Sequence, residues 1–156
     1  MILTISNTLS GLNFVIDLGI PFKLALATGI GMIIGRERKK QDKSGGARTM
    51  AMIALGACLL AILTLEINTK LNPNIFDFTR LMTGGMGGMG FIGAGIIWKH
   101  RGEIEGLTTA ATLLALMPIG YCIGLGFYPI GIISAIFVYL ILESKYKKIR
   151  RRKKNV

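Results

Sequence analysis

From Leu107 to Leu142 the chain runs 36 residues without one Asp, Glu, Lys or Arg. No solvated domain explains such a stretch. As a single helix it would be about 54 Å long, against a bilayer core of about 30 Å, so it must fold back. The segment GLGFYP, Gly124 to Pro129, gathers helix terminators in one place. A break there leaves spans near 107–124 and 128–142. Leu81–Trp98 is a further uncharged run, of 18 residues. Two more spans are expected over 18–35, where Pro21 suits the first turn and Lys23 can snorkel to the interface, and over about 47–65. Charged residues make up 17% of the chain, below the roughly 25% of soluble domains. The expected fold is therefore an all-α integral membrane bundle of about five helices, occupying residues 18–143.

Residues 1–17 carry Thr4, Ser6, Asn7, Thr8, Ser10 and Asn13, too many polar groups for a comfortable span. They also lack the basic start and cleavage site of a signal peptide. An amphipathic segment in the outer interface fits them better. Basic residues then set the orientation. The 36–48 connection holds six, the 99–106 connection two and the tail eight, against Lys23, Lys70 and Arg80 on the other side. Sixteen against three places both connections and the tail, residues 144–156, in the cytoplasm and the N-terminus outside. The same distribution argues against nucleic acid as the reason for the net charge of +11, because the basic residues flank apolar spans. The tail KYKKIRRRKK serves as a topological anchor and can also attract an anionic lipid leaflet.

The third span, 81–98, holds Gly84, Gly85, Gly87, Gly88, Gly90, Gly93 and Gly95. Helices in lipid associate where small residues let backbones approach, and at about 100° per residue these glycines reach nearly every face. That reading makes the third helix the centre of the bundle, with Gly88→Leu and Gly93→Leu expected to overpack it. The same glycines also admit an unwound segment lining an ion path. Gly31-x-x-x-Gly35 offers the first helix one small docking face.

Chemistry finds little support. Every Asp and Glu falls at a span end or in a connection, so no carboxylate site can be built at the membrane centre. Hydroxyls at Thr28, Thr83, Thr108, Thr109 and Thr112 are available to a path, but such threonines commonly bond their own helix backbone. His100 is the only histidine and has no evident nucleophile beside it, while Cys58 and Cys122 lie apart inside apolar segments. No catalytic, metal-binding or cofactor-binding residues are assigned, and an enzyme is not expected.

The motif order is specific in combination. An apolar helix ends IGRERKK, then come GGARTMAMIALGA, DFTRLMTGGMGGMGFIGAGII, a short charged loop and GLTTAATLL. This resembles the MgtC/SapB family of bacterial inner-membrane proteins, over about Gly29 to Gly126. The residues that carry the resemblance are Gly35, Glu37, Arg38, Arg48, Thr49, Asp77, Arg80, Gly90, Gly93, Gly95, Gly106, Thr108 and Thr109. It implies a regulatory role in adaptation to magnesium limitation, with survival inside host cells in some members and restraint of the F-type ATP synthase in others. The larger members continue into a soluble regulatory domain, whereas this chain is expected to end in its basic tail. Glu105 departs from the family pattern, in which many members have a basic or neutral residue.

Within the motif, a basic hairpin brings Arg48 near the end of the first helix, where it is expected to bond Glu37 or the exposed helix carbonyls. Two other functions remain open, a small-ion channel or secondary transporter and a packing subunit of a membrane complex. Another membrane protein or a second copy of the chain is an equally open partner.

Overall fold

The structure, a computed structural model, describes residues 19–41, 43–70, 78–100 and 103–154. The expected interfacial segment at the N-terminus lies outside them. Five helices and one small hairpin follow in order: α1 (Gly19–Lys40), α2 (Ala47–Lys70), α3 (Phe78–Ile96), β1 (Trp98–His100), β2 (Glu103–Glu105), α4 (Leu107–Leu125) and α5 (Tyr128–Lys154). The long uncharged run breaks where its terminators stand. Gly126 adopts a left-handed conformation (φ 87°) after α4, and its N–H is turned back onto the carbonyls of Cys122 and Ile123.

Several boundaries differ from the sequence reading. Helix α1 continues beyond its apolar run to Lys40, and α5 carries on as one rod into the basic tail. The charged connection after α3 is an antiparallel hairpin that pairs Trp98 with Glu105, Lys99 with Ile104 and His100 with Glu103. Trp98 and Ile104 suit a pleated ribbon, which periodicity over so few residues could not reveal.

Small residues build the bundle at two seams on α2. A Cβ added at Gly31 would lie 2.6 Å from the Met50 carbonyl oxygen, and one at Gly35 would lie 2.5 Å from Ala47 Cα. The Gly31-x-x-x-Gly35 face thus docks α1 onto α2, as its spacing predicts. The second seam is built by Gly120 and Gly124 of α4. Cβ atoms there would come within 2.6 Å of Ala57 Cβ and 2.5 Å of the Cys58 carbonyl oxygen. At the far end Lys23 donates to the Gly124 carbonyl, 3.2 Å away, tying α1 to α4.

The centre of the bundle is α4, which packs against α1, α2, α3 and α5. This overturns the expectation of a central third helix. Only one side of α3 lies on α4, where Gly85 faces Met117 and Tyr121, and Gly93 faces Ala110. Space is open beside Gly84, Gly87, Gly88, Gly90 and Gly95. The cause is volume. The core is filled by side chains such as Ile34, Met50, Leu113, Leu116 and Ile119, whereas a glycine face removes little apolar area from its surroundings.

Among the described residues three helices are long and apolar enough to cross a membrane by length and composition, Gly19–Lys40, Ala47–Thr69 and Leu107–Leu125. The apolar part of α5, Tyr128–Ser144, is shorter. The chain is an all-α membrane protein.

Candidate functional site

At one end of the bundle meet the last turn of α1, the hairpin and the start of α4. We call it the basic end. Its organising feature is a pair of charged side chains withdrawn from solvent, Glu37 at 3% exposure and Arg38 at 1%. Such burial is costly without partners. Gln41 supplies them, sitting three and four residues on, where helical spacing brings side chains onto one face. Its amide oxygen accepts from Arg38 Nη2 at 2.8 Å, while its Nε2 donates to Glu37 Oε1 at 3.1 Å and to the Leu142 carbonyl of α5 at 3.1 Å. One neutral side chain thus joins a carboxylate, a guanidinium and a second helix. Lys40 lies 3.6 Å from the other carboxylate oxygen and is itself exposed, so it adds little. Arg38 Nε donates to nothing among the described residues.

Beside Arg38 is a cavity of about 190 Å³, lined further by Gln41, Lys43, Glu103, Glu105, Gly106, Thr108 and Thr109. Gly106 caps α4 in a left-handed conformation (φ 85°) and contributes no side-chain bond to the first N–H groups of that helix. A Cβ at this position would run into the Ile96 carbonyl at the end of α3. The glycine is therefore needed twice, for its φ and for the close approach. Gly106→Ala is expected to lower stability by about 2 kcal/mol through both effects, and a thermal melt in detergent would register it.

The motif residues divide sharply. Glu37, Arg38, Gly106, Thr108 and Thr109 gather at the basic end, with Thr109 buried. Arg48 and Thr49 also start from this end, but on the exposed face of α2. The expected Glu37–Arg48 bond is not formed. Because α1 continues past Gly35, Glu37 turns inward to Gln41, while Ala47 is the residue at the α1–α2 seam and Arg48 is carried around the outside. Arg80 is exposed at the opposite end of α3, and Asp77 lies outside the described residues. Gly93 contacts α4, whereas Gly90 and Gly95 face open space. Thr28, Thr83 and Thr112 bond the carbonyls four residues back, as threonines in helices commonly do.

Gln41 is the residue that sequence reasoning missed. Its signal was present in its spacing from Glu37 and Arg38, but only on a helix extended beyond the apolar run. Among the described residues no group of three His, Cys, Asp or Glu could hold a metal ion.

A sequence profile of the MgtC family matches residues 24–151. Protein SapB of Bacillus subtilis is 36% identical over 136 residues, covering 85% of this chain and 59% of SapB. Protein SrpB of Synechococcus elongatus is 32% identical over 143 residues, covering 86% of this chain and 78% of SrpB. YhiD of Escherichia coli K12, whose name proposes it as a magnesium transporter, is 36% identical over 113 residues, covering 70% of this chain and 53% of YhiD. No solved structure matches the chain. The profile covers α4 and most of α1, including the Glu37, Arg38 and Gln41 cluster, the hairpin and the glycine cap, so that what converges at the basic end is family sequence: the chain belongs to the MgtC family.

Proposed function

We propose that the chain is a membrane-embedded regulator in the adaptation of bacteria to magnesium limitation, set in the inner membrane with its basic end in the cytoplasm. The observation that carries this reading is the network of Glu37, Gln41 and Arg38. Charge and hydrogen bonding are concentrated at one end of the bundle, whereas no Asp, Glu, Lys or Arg lies within Leu81–Trp98 or Leu107–Leu142. That distribution suits a protein whose end is sensed or contacted better than one that passes ions through its centre. Exposed Trp98, Ile104 and Leu107 offer apolar surface to a membrane partner at the same end. The F-type ATP synthase is the partner the family resemblance suggests, with restraint of its rotation as the effect. The basic tail would meet the anionic leaflet, and no enzymatic step is assigned.

Topology and physiology test this separately. A reporter fused after Lys154 is expected to work only in the cytoplasm, and one near Asn72 only outside. Access to residues 36–48 from outside intact cells would reverse the orientation. A deletion strain should grow normally in ample Mg²⁺ and fail progressively as Mg²⁺ falls, with recovery on expression of the chain. Equal growth across the whole range would refute the magnesium role, and failure to co-purify ATP synthase subunits would remove that partner. The name of YhiD favours a second reading, transport. Mg²⁺ flux into liposomes carrying the purified chain would establish it in place of regulation.

A further inference from the structure

We propose that the groove between α1 and α5 holds an acyl chain of one anionic phospholipid, with the headgroup at the basic end of the bundle. This rests neither on the magnesium reading nor on which side of the membrane that end faces. Two contacts set the helices side by side. Near their starts the rings of Phe22 and Tyr128 meet edge to face, with centroids 6.3 Å apart. Near the basic end Gln41 donates to the Leu142 carbonyl. Both helices therefore run in the same direction. Between these contacts they part, because each has its small-residue face turned elsewhere. Gly31 and Gly35 seat α1 on α2, while a Cβ at Gly131 would lie 2.8 Å from Ile123 Cδ1, so that α5 makes its close approach to α4.

The space left between them is a groove of about 340 Å³ whose lining surface is apolar throughout. Its floor is Ile34 and Ala135, both buried, and Ile33, Ile132 and Ile136 stand exposed along its rim. Volume selects the occupant. An apolar cavity of about 150 Å³ holds one benzene ring, so by proportion roughly a dozen carbons fit here. From Ile132 to Tyr139 the helix advances about 10 Å, and a partner helix about 10 Å across would fill on the order of 800 Å³ over that length. An acyl chain fits and a helix does not.

The ends of the flanking helices identify the headgroup. Arg36 and Lys40 follow Ile33 by three and seven residues, spacings that keep side chains on one face of a helix, and both are exposed. Glu37, the carboxylate on this stretch, is buried and held by Gln41, so the charge offered at the surface is positive. Ile33 and Lys40 are about 10 Å apart along the axis, within reach of a headgroup whose chain lies in the groove. Helix α5 likewise runs on from Tyr139 into the tail KYKKIRRRKK. Basic surface between helices at a membrane face recruits anionic lipid heads. A neutral lipid would fill the groove and leave this charge unmatched, and a soluble anion would do the reverse.

The full chain would be purified in mild detergent and placed in phosphatidylcholine nanodiscs with a small fraction of one test lipid. Trp98 is the only tryptophan, so Trp98→Phe with Tyr139→Trp puts a single fluorophore in the groove. Brominated acyl chains quench tryptophan on contact. Brominated phosphatidylglycerol is expected to reach half-maximal quenching at a mole fraction about tenfold below that of brominated phosphatidylcholine, the scale of one or two basic side chains at an anionic head. Arg36→Gln with Lys39→Gln and Lys40→Gln should abolish that preference. Native mass spectrometry of the parent chain should show one phosphatidylglycerol retained, and Ile136→Trp should expel it by filling the groove from its rim. If that variant does not fold, Ile33→Trp on the other rim decides. Equal quenching by both lipids overturns the proposal, as does a preference unchanged in the glutamine triple, which would assign it to the tail alone. Retention unaffected by the rim variants places the lipid outside the groove and also overturns it. So does a dimer without bound lipid that Ile136→Trp breaks, which would give the groove to a second copy. Glycerol phosphate, the head without its chains, should fail to displace the lipid. Displacement at equal concentration would show an anion site in which the groove has no part, and the proposal would fall.

Discussion

Gly120→Leu is expected to remove the folded protein from the membrane almost entirely. The Cβ alone would lie 2.6 Å from Ala57 Cβ and 2.8 Å from the Ala54 carbonyl oxygen, so α2 and α4 must separate before the rest of the leucine is placed. Overpacking in cores typically costs about 1–3 kcal/mol. Here the obstacle includes backbone, which cannot rotate aside, and the cost should exceed about 3 kcal/mol. Gly35→Leu should behave alike, because its Cβ would meet Ala47 Cα and the Gly46 carbonyl oxygen at 2.5 and 2.9 Å. The control is Gly88→Leu, which enters open space and should change stability by less than about 0.5 kcal/mol. Abundance in the membrane and thermal unfolding in detergent would rank the three. Equal damage from Gly88→Leu would return α3 to the centre of the assembly, through contacts outside this single chain.

The second large effect is expected from Arg38→Ala. Removing the guanidinium takes the donor from Gln41 Oε1, leaves Glu37 buried beside one fewer cation and enlarges the cavity. Breaking a buried charged contact in this way costs about 3–5 kcal/mol. Gln41→Ala should lose nearly as much, because the same side chain serves Glu37, Arg38 and Leu142. Arg48→Ala, on the exposed face of α2, should cost less than about 0.5 kcal/mol. Because Glu37 and Arg48 do not meet, Glu37→Ala and Arg48→Ala should add within about 0.5 kcal/mol, whereas Glu37→Ala and Gln41→Ala should not. Thermal melts of the singles and doubles would show it. A double variant of Glu37 and Arg48 no worse than either single would mean that the pair forms after all.

Much of this was legible along the chain. An uncharged run too long for one span, interrupted by Gly124, Gly126 and Pro129, sets a fold-back without any knowledge of neighbours, because helix termination is a local property. The Gly31-x-x-x-Gly35 face was likewise readable, since two glycines four residues apart make a small stripe wherever the helix lies. Glu37, Arg38, Gly106, Thr108 and Thr109 could be singled out as a motif.

Tertiary structure alone decided which helix is central and which charges meet. Glycine content records where a close approach is permitted, not whether a neighbour has the side-chain volume to profit from it. The glycines of α3 therefore looked like a core and mostly face open space, while the leucines of α4, with only Gly120 and Gly124 at the crossing, fill the centre. The partner of Glu37 likewise depended on α1 continuing five residues beyond Gly35 to Lys40, far enough to turn Gln41 inward to the Leu142 carbonyl. That contact spans 101 positions in the chain. Charge spacing determines which end of a bundle is basic, but the partner of each charge is settled by the angle at which a helix ends and the backbone it meets there.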